Sequence, residues 1–349
     1  MNTPPTGSRG RRLLMSAVSA VIGLAVALAL VEGLVTLFFD EPVQPRYVYD
    51  GGYGVRANQP SISTRHYVPG DYEVAINTNS GGMRGQQEYP IDKAGDVRRV
   101  LVLGDSFAFG YGVEDDEVVS ARLEQQLNAA PGRAVRYEVL NLAVSGFGQA
   151  EELVTYRARG RAYRPDVVLL FYFENDIGNN AVANLFQLDA NGTLQPAAAE
   201  FLPGVKTREM LYLFPPIRWL FEHSQAWNLV RNRLSGIVQN SLLRKQGLEK
   251  FNDSNPKGVN LTRALLGQLV NEIRADGATP IVVIIPDRKR MDSTFPMTEA
   301  ELTTLGAGLL DGRGYLIRED YYNRDSHWRP SGHEKTAARL VPMVRAATP

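Results

Sequence analysis

The sequence predicts an α/β fold: a parallel β-sheet covered by helices on both faces, carried behind an N-terminal transmembrane helix. Three observations point there. From Arg98 onward, short continuous apolar runs alternate with amphipathic stretches of helical period. Strands that read as unbroken apolar runs belong to parallel sheets buried on both sides. The chain also opens on a long apolar segment, and 44% of its 349 residues are apolar, enough to fill a sizeable core and to exclude disorder as the main state.

The first element is the membrane segment. From Leu13 to Val31 no charge interrupts LLMSAVSAVIGLAVALALV, and after Glu32 the apolar run resumes to Phe39. At about 1.5 Å per residue, roughly 20 residues cross the hydrocarbon layer. Arg9, Arg11 and Arg12 precede the run, and Asp40 and Glu41 follow it. The positive-inside rule then keeps the N-terminus in the cytoplasm and sends the body out, to a periplasmic or extracellular location. Residues 1–12 read as a cytoplasmic tail and 13–39 as an uncleaved anchor. A cleaved signal peptide is the rival, because Ala25-Val26-Ala27 and Ala27-Leu28-Ala29 are small-residue cleavage patterns. Either way the body is exported.

Residues 40–95 are rich in Pro, Gly, Tyr and Asn, with short alternating stretches such as Tyr72-Glu73-Val74-Ala75-Ile76. They read as edge strands and turns, an approach segment packed on the main domain. Residues 96–349 form that domain. Its strands are expected at VLVL, YEVLNLAV, DVVLLFYF and TPIVVII, with helices at VSARLEQQLNAA, QAEELVTYRARGRA, LTRALLGQLVNEIRADG and EKTAARLVPMV. Between about 181 and 259 the rhythm lapses into LYLFPPIRWLFEHSQAWNLVRNRL with polar flanks. This is an insertion between the third and fourth strands, whose aromatics serve either ordinary packing or a lid or acyl-binding wall.

Thirty-eight basic residues balance thirty-eight acidic ones, so nothing in the bulk charge favours nucleic acid. The absence of cysteine excludes disulfides, thiolate zinc sites, iron–sulfur clusters and cysteine nucleophiles. With four histidines, His66, His223, His327 and His333, an imidazole base has four candidates.

In parallel α/β sheets, ligands bind beyond the carboxyl ends of the strands. Three clusters sit there. Gly104-Asp105-Ser106-Phe107 follows VLVL and precedes a helical stretch, which exposes the Ser106 hydroxyl as a nucleophile beside free backbone N–H groups. Alone, such a triplet also reads as a helix cap. Ser145-Gly146-Phe147-Gly148 follows VLNLAV, and Gly146 can present a bare N–H. Phe173-Glu174-Asn175-Asp176 follows DVVLLFYF, and the Asn175 carboxamide can donate to an oxyanion. Near the C-terminus stands Asp325-Ser326-His327-Trp328. A serine nucleophile needs an imidazole to take its proton and a carboxylate to fix that imidazole, and this phrase holds both.

These four blocks, GDSF, VSGFG, FEND and DSHWRPSGH, resemble the SGNH or GDSL hydrolase family in order and spacing over roughly residues 98–345. The resemblance implies a flavodoxin-like three-layer α/β/α sandwich and a serine esterase mechanism needing neither metal nor organic cofactor. It implies Ser106 as nucleophile, His327 as base and then acid, and Asp325 as the orienting carboxylate. Backbone N–H groups of Ser106 and Gly146 and the Asn175 side chain would form the oxyanion hole. His333 falls to the start of the last helix. Two positions depart from the family pattern: Arg324 stands where the acid usually does, three residues before His327, and Glu174 replaces a common Gly. The DSHW wording also resembles alginate O-acetyltransferase-like proteins. Upstream, INTNSGGMRG is similar to an extension of membrane-anchored bacterial relatives, with Arg84 expected as a structural or surface residue outside the site.

Three functions remain open on sequence alone. The first is hydrolysis of an acyl ester, acetyl or short-chain, outside the cytoplasmic membrane. The second is transfer of an acetyl group to an envelope glycan. The third is a non-catalytic, anchored glycan- or lipid-binding module.

Overall fold

The computed structural model describes residues 7–39, 41–43, 47–129, 135–212, 214–234 and 255–348. It opens on helix α1 (Gly7–Phe38), and within it Gly10–Phe38 is long and apolar enough to cross a membrane, exposed along its length except near its end, where Glu32 is half-buried and Val35 buried. The approach segment folds as two antiparallel hairpins. Strand β1 (Val48–Asp50) pairs with β2 (Arg56–Asn58), and β3 (Ser63–Val68) pairs with β4 (Tyr72–Asn77).

The main sheet follows. Its strands are β5 (Val97–Leu103), β6 (Arg136–Asn141), β7 (Val167–Phe173), a fourth at Thr279–Ile285 and a fifth at Gly308–Asp311, all parallel. Between β7 and the fourth strand lies a small hairpin of β8 (Phe186–Leu188) and β9 (Leu194–Pro196), so the last two sheet strands are β10 and β11. Across the sheet the order is β11-β10-β7-β5-β6. Counted by appearance within the sheet this is 2-1-3-4-5, the doubly wound flavodoxin-like order. Four of the five strands stand where apolar runs placed them. The fifth, β11, is four residues at the sheet edge and only half-buried, too short and mixed to show as a run.

Alternation along each strand feeds two cores. On one face, Val100 and Val102 of β5, Val139 of β6 and Val283 of β10 pack with Leu123 of α3 (Val119–Asn128) and with Leu340 and Val344 of the last helix (Pro330–Ala347). On the other, Leu101, Leu103, Leu140 and Val282 meet Leu153 of α4 (Gln149–Ala158) and Leu265 and Leu269 of the helix Pro256–Ala275. Burying each such side chain stabilises by about 1.5–3 kcal/mol. Helices on both faces of one parallel sheet make the three-layer α/β/α sandwich.

One strand residue breaks the apolar pattern. Arg99 of β5 is 1% exposed, pairs with Glu138 of β6 at 2.9 Å and donates to the carbonyls of Pro90, Ile91 and Tyr163. A buried guanidinium is tolerated because its donors are satisfied, and this one staples the end of the approach segment to the sheet.

The insertion between β7 and β10 begins in α5 (Asp176–Ala183), continues through the β8–β9 hairpin to α6 (Val205–Tyr212) and α7 (Pro215–His223), and then a helical stretch over 225–234. Its remaining part, 235–254, lies outside the described residues, as does 213.

Candidate active site

The turn that carries Ser106 is set by glycine. Gly104 follows β5 with φ 152°, and a Cβ there would lie 2.8 Å from the Cβ atoms of both Ala108 and Phe171, so no larger residue fits. The next residues turn into the short helix α2 (Ser106–Phe109), where the Asp105 carboxylate accepts the Phe107 N–H at 2.8 Å. Asp105 is thus the cap of this turn, and Ser106 is its first helical residue.

The Ser106 Oγ lies 2.7 Å from His327 Nε2, and His327 Nδ1 lies 2.7 Å from Asp325 Oδ2. Three residues up to 221 positions apart thereby form one hydrogen-bonded line. The acid stands only two residues before the histidine, and Ser326 makes that spacing work. Its φ of 65° is left-handed, a conformation L-residues rarely hold outside strained functional turns. This curl brings the Asp325 carboxylate onto the imidazole of its near neighbour, while Arg324 points elsewhere, near Gly70.

Gly146 and Asn175 follow β6 and β7, the two strands flanking β5, so all three oxyanion candidates stand at adjacent strand ends. Gly146 has φ 74°. Asn175 is exposed at the start of α5. Glu174 turns away from both: its carboxylate pairs with Arg290 and accepts the Thr294 N–H at 3.3 Å, tying this loop to the one after β10.

Four residues of the approach segment reach the site, and nothing in their local pattern announced it. The Tyr72 hydroxyl donates to Asp325 Oδ2 at 2.6 Å, the same oxygen that His327 uses, and lies 3.1 Å from His66 Nε2. Asp71 accepts the backbone N–H groups of Asn323, Arg324 and Asp325 at 3.2, 2.7 and 2.8 Å, clamping the acid's loop. Arg56 of β2 donates to the Gly146 carbonyl at 2.9 Å and pairs with buried Glu151 at 2.8 Å, fixing the Gly146 turn. Because the Tyr72 proton goes to Asp325, His66 donates its Nε2 proton to Tyr72. Donation therefore runs one way, from His66 through Tyr72 to the carboxylate.

Electrostatics agree with that direction. Burial pushes the Asp325 carboxyl up, but hydrogen bonds from His327 and Tyr72 outweigh it and hold the group below its usual range. Burial lowers His66 to about 3, so this imidazole stays neutral. His333 is likewise lowered to about 3 by burial. It accepts the Val119 N–H at 3.2 Å within the first turns of the last helix and takes no part in the line. Arg84 is buried, pairs with Asp115 and donates to the Val113 carbonyl at 2.7 Å. It braces the loop after α2.

Next to Ser106 in the chain, Asp105 belongs with Glu152 and Asp176 to a group of buried carboxyls. Burial pushes Asp105 up to about 6. Burial, then the proximity of Asp105 and Glu151, pushes Glu152 well up, and burial, then Asp105 and Glu152, does the same to Asp176. Gln149 Nε2 donates to Asp176 at 2.6 Å, and Asn180 links Gln149 to Thr262.

A family model described as GDSL-like lipase/acylhydrolase matches residues 100–339. No curated protein matches the chain. Among solved structures, the chain is similar to TesA at 14% identity, over 72% of this chain and 99% of that one, TM-score 0.40. It is similar to the psychrotrophic esterase EstA from Pseudoalteromonas sp. at 15% identity, over 72% and 93%, TM-score 0.35. A GDSL-like lipase from Bacteroides thetaiotaomicron aligns at 9% identity, over 72% and 89%, TM-score 0.34.

Proposed function

The chain belongs to the GDSL-like lipase/acylhydrolase family, and from that premise we propose that this serine ester hydrolase works outside the cytoplasmic membrane, held by its N-terminal helix, and removes an acetyl or short acyl group. The observation that carries the reading is the unbroken line from Ser106 to His327 to Asp325 at 2.7 Å per step.

In the first half-reaction His327 Nε2 takes the Ser106 proton as Oγ bonds to the ester carbonyl carbon. The carbonyl electron pair moves to oxygen, where the Ser106 and Gly146 N–H groups and the Asn175 carboxamide stabilise it. His327 then gives its proton to the leaving alkoxide oxygen, the C–O bond breaks, and the acyl group stays on Ser106. Water repeats the sequence in the second half and frees the acid. Asp325 remains ionised and stabilises the imidazolium in both halves, and Tyr72 holds Asp325 in place.

The anchor reading rests on the helix Gly10–Phe38 and on the flanking charges. The positive residues precede the span, which supports an N-terminus inside and a body outside. The ester substrate would then be a glycan or lipid of the envelope.

Full-length protein in detergent, given p-nitrophenyl acetate, butyrate and octanoate beside Ser106→Ala, tests this reading. Ser106-dependent release that falls with chain length and is unchanged by added glycan is expected. Release that stays slow until a glycan acceptor is added, with acyl appearing on that acceptor, would replace hydrolysis by transfer. Activity retained in Ser106→Ala would overturn the nucleophile.

A further inference from the structure

We propose that the insertion residues 205–212 and 214–234 form a collar that lies in the membrane interface and clamps the anchor, so that the catalytic body sits on the bilayer at a fixed height. This inference rests on the reading of α1 as a membrane anchor and extends it to a second, independent surface.

The clamp is built on one residue. Glu32 is the only charge between Leu13 and Phe39, a position where an unpaired carboxylate is costly. Its oxygens accept the Ser224 hydroxyl at 2.6 Å and the backbone N–H groups of Gln225 and Ala226 at 2.6 and 3.3 Å. The carboxylate of the anchor thus caps the helical stretch 225–234, satisfying donors that a helix start leaves open. Glu41 makes a second tie: its N–H donates to Gln225 Oε1 at 2.9 Å, and its carboxylate accepts from Asn232 at 3.0 Å. A span starting at Leu13 reaches its full ~30 Å at about Val31. Glu32 therefore marks the outer boundary, and the collar it holds lies in that plane.

The collar's surface fits the same plane. Met210, Phe214, Trp219, Val230 and Leu234 are each 53–58% exposed. Beyond residue 39, the only other large apolar side chains so exposed among the described residues are Ile91 and Ile317. Five of the seven exposed large apolar side chains beyond residue 39 thus fall in the chain segment that bonds to Glu32 and Glu41. Isolated exposed apolar residues are ordinary, but a run of them in a segment tied to the anchor is a candidate interaction surface. Aromatic and aliphatic groups there suit the headgroup–acyl boundary.

The cysteine-free chain permits a direct test by site-directed spin labelling. Full-length Trp219→Cys, Val230→Cys and Leu24→Cys would each carry one nitroxide in vesicles of phosphatidylethanolamine and phosphatidylglycerol, with ester turnover reporting that each is folded. Labels at 219 and 230 are expected roughly 5–10 Å below the surface by oxygen against nickel-chelate collision, and the label at 24 deep in the hydrocarbon. Adding Glu32→Ala should return the labels at 219 and 230 toward water and leave the label at 24 in place. Water-like labels at 219 and 230 beside a deep label at 24 would overturn the collar while keeping the anchor. A water-like label at 24 would overturn both. Spin–spin broadening between copies at 219 without lipid contact would assign the face to a second chain instead.

Discussion

The loops at the carboxyl ends of the sheet and the hairpins of residues 48–77 meet at one site but contribute different things. The loops carry the groups to which the proposed mechanism gives the chemistry: Ser106 after β5 and His327 before the last helix as the reacting pair, Gly146 after β6 and Asn175 after β7 for the oxyanion. The hairpins supply alignment: Tyr72 on the acid, Asp71 on the acid's loop and Arg56 on the Gly146 turn. The loops fall within residues 100–339, the part that matches the family, and the hairpins fall outside it. This difference teaches that the proposed chemistry lies in the domain, while its alignment depends on an upstream segment that also leads from the apolar N-terminal helix.

The largest expected effects separate the two regions. Ser106→Ala and His327→Ala should each lower kcat by about 10⁴- to 10⁶-fold, and the double variant should be no worse than either, because the pair acts as a unit. Additive losses in steady-state assays would break the shared mechanism. Asp325→Asn should cost less, about 10⁴-fold; near-full activity would mean that another carboxylate orients His327.

Bracing residues should cost less again, and in a different parameter. Tyr72→Phe removes a hydrogen bond to a charged group, worth about 1.5–3 kcal/mol, so kcat should fall about 10- to 100-fold with KM little changed. The carboxylate then loses one of the hydrogen bonds that lower it, so the acidic limb of the kcat profile should move to higher pH. An unmoved limb with full activity would reduce Tyr72 to packing. Arg56→Gln should loosen the Gly146 turn, with a loss of several-fold in kcat and KM unchanged; a change in KM alone would place Arg56 in substrate binding.

The smallest effect is on stability. Asp105, Glu152 and Asp176 are raised in the folded chain, so between about pH 4 and the raised values the folded state holds more protons than the unfolded one. Their contribution is complete at acid pH and is lost as pH rises through that window, from about 4 to about 6 for Asp105 and well beyond the usual carboxylate range for the other two. Glu152→Gln should make the urea midpoint fall less steeply with rising pH. An unchanged slope would show that Glu152 does not titrate there.

Much of this was legible in the sequence, for physical reasons that also mark where legibility stopped. Strands buried on both faces must be apolar throughout, so β5, β6, β7 and β10 stood out, and the site had to lie just past their ends. Edge strand β11 is short and half-buried, and it did not stand out. The D-S-H phrase brought out Asp325 and His327, which the structure joins by a hydrogen bond, but the left-handed Ser326 between them leaves no mark in residue type. Tyr72 stands 253 residues from Asp325, on a hairpin whose alternation signals only a strand. Of the four histidines offered as bases, His66 came to the site as a neutral donor behind Tyr72, a role fixed by burial and not by spacing.

In the proposed mechanism Ser106 is activated by the line of groups that runs through His327 to Asp325. The measurement that tests it most directly is covalent labelling of the full-length chain with a fluorophosphonate ester, followed by peptide mass spectrometry. One adduct is expected, on Ser106, forming rapidly in the unaltered protein and at a rate reduced by several orders of magnitude in His327→Ala. An adduct on another residue, or labelling of Ser106 at an undiminished rate without His327, would contradict it.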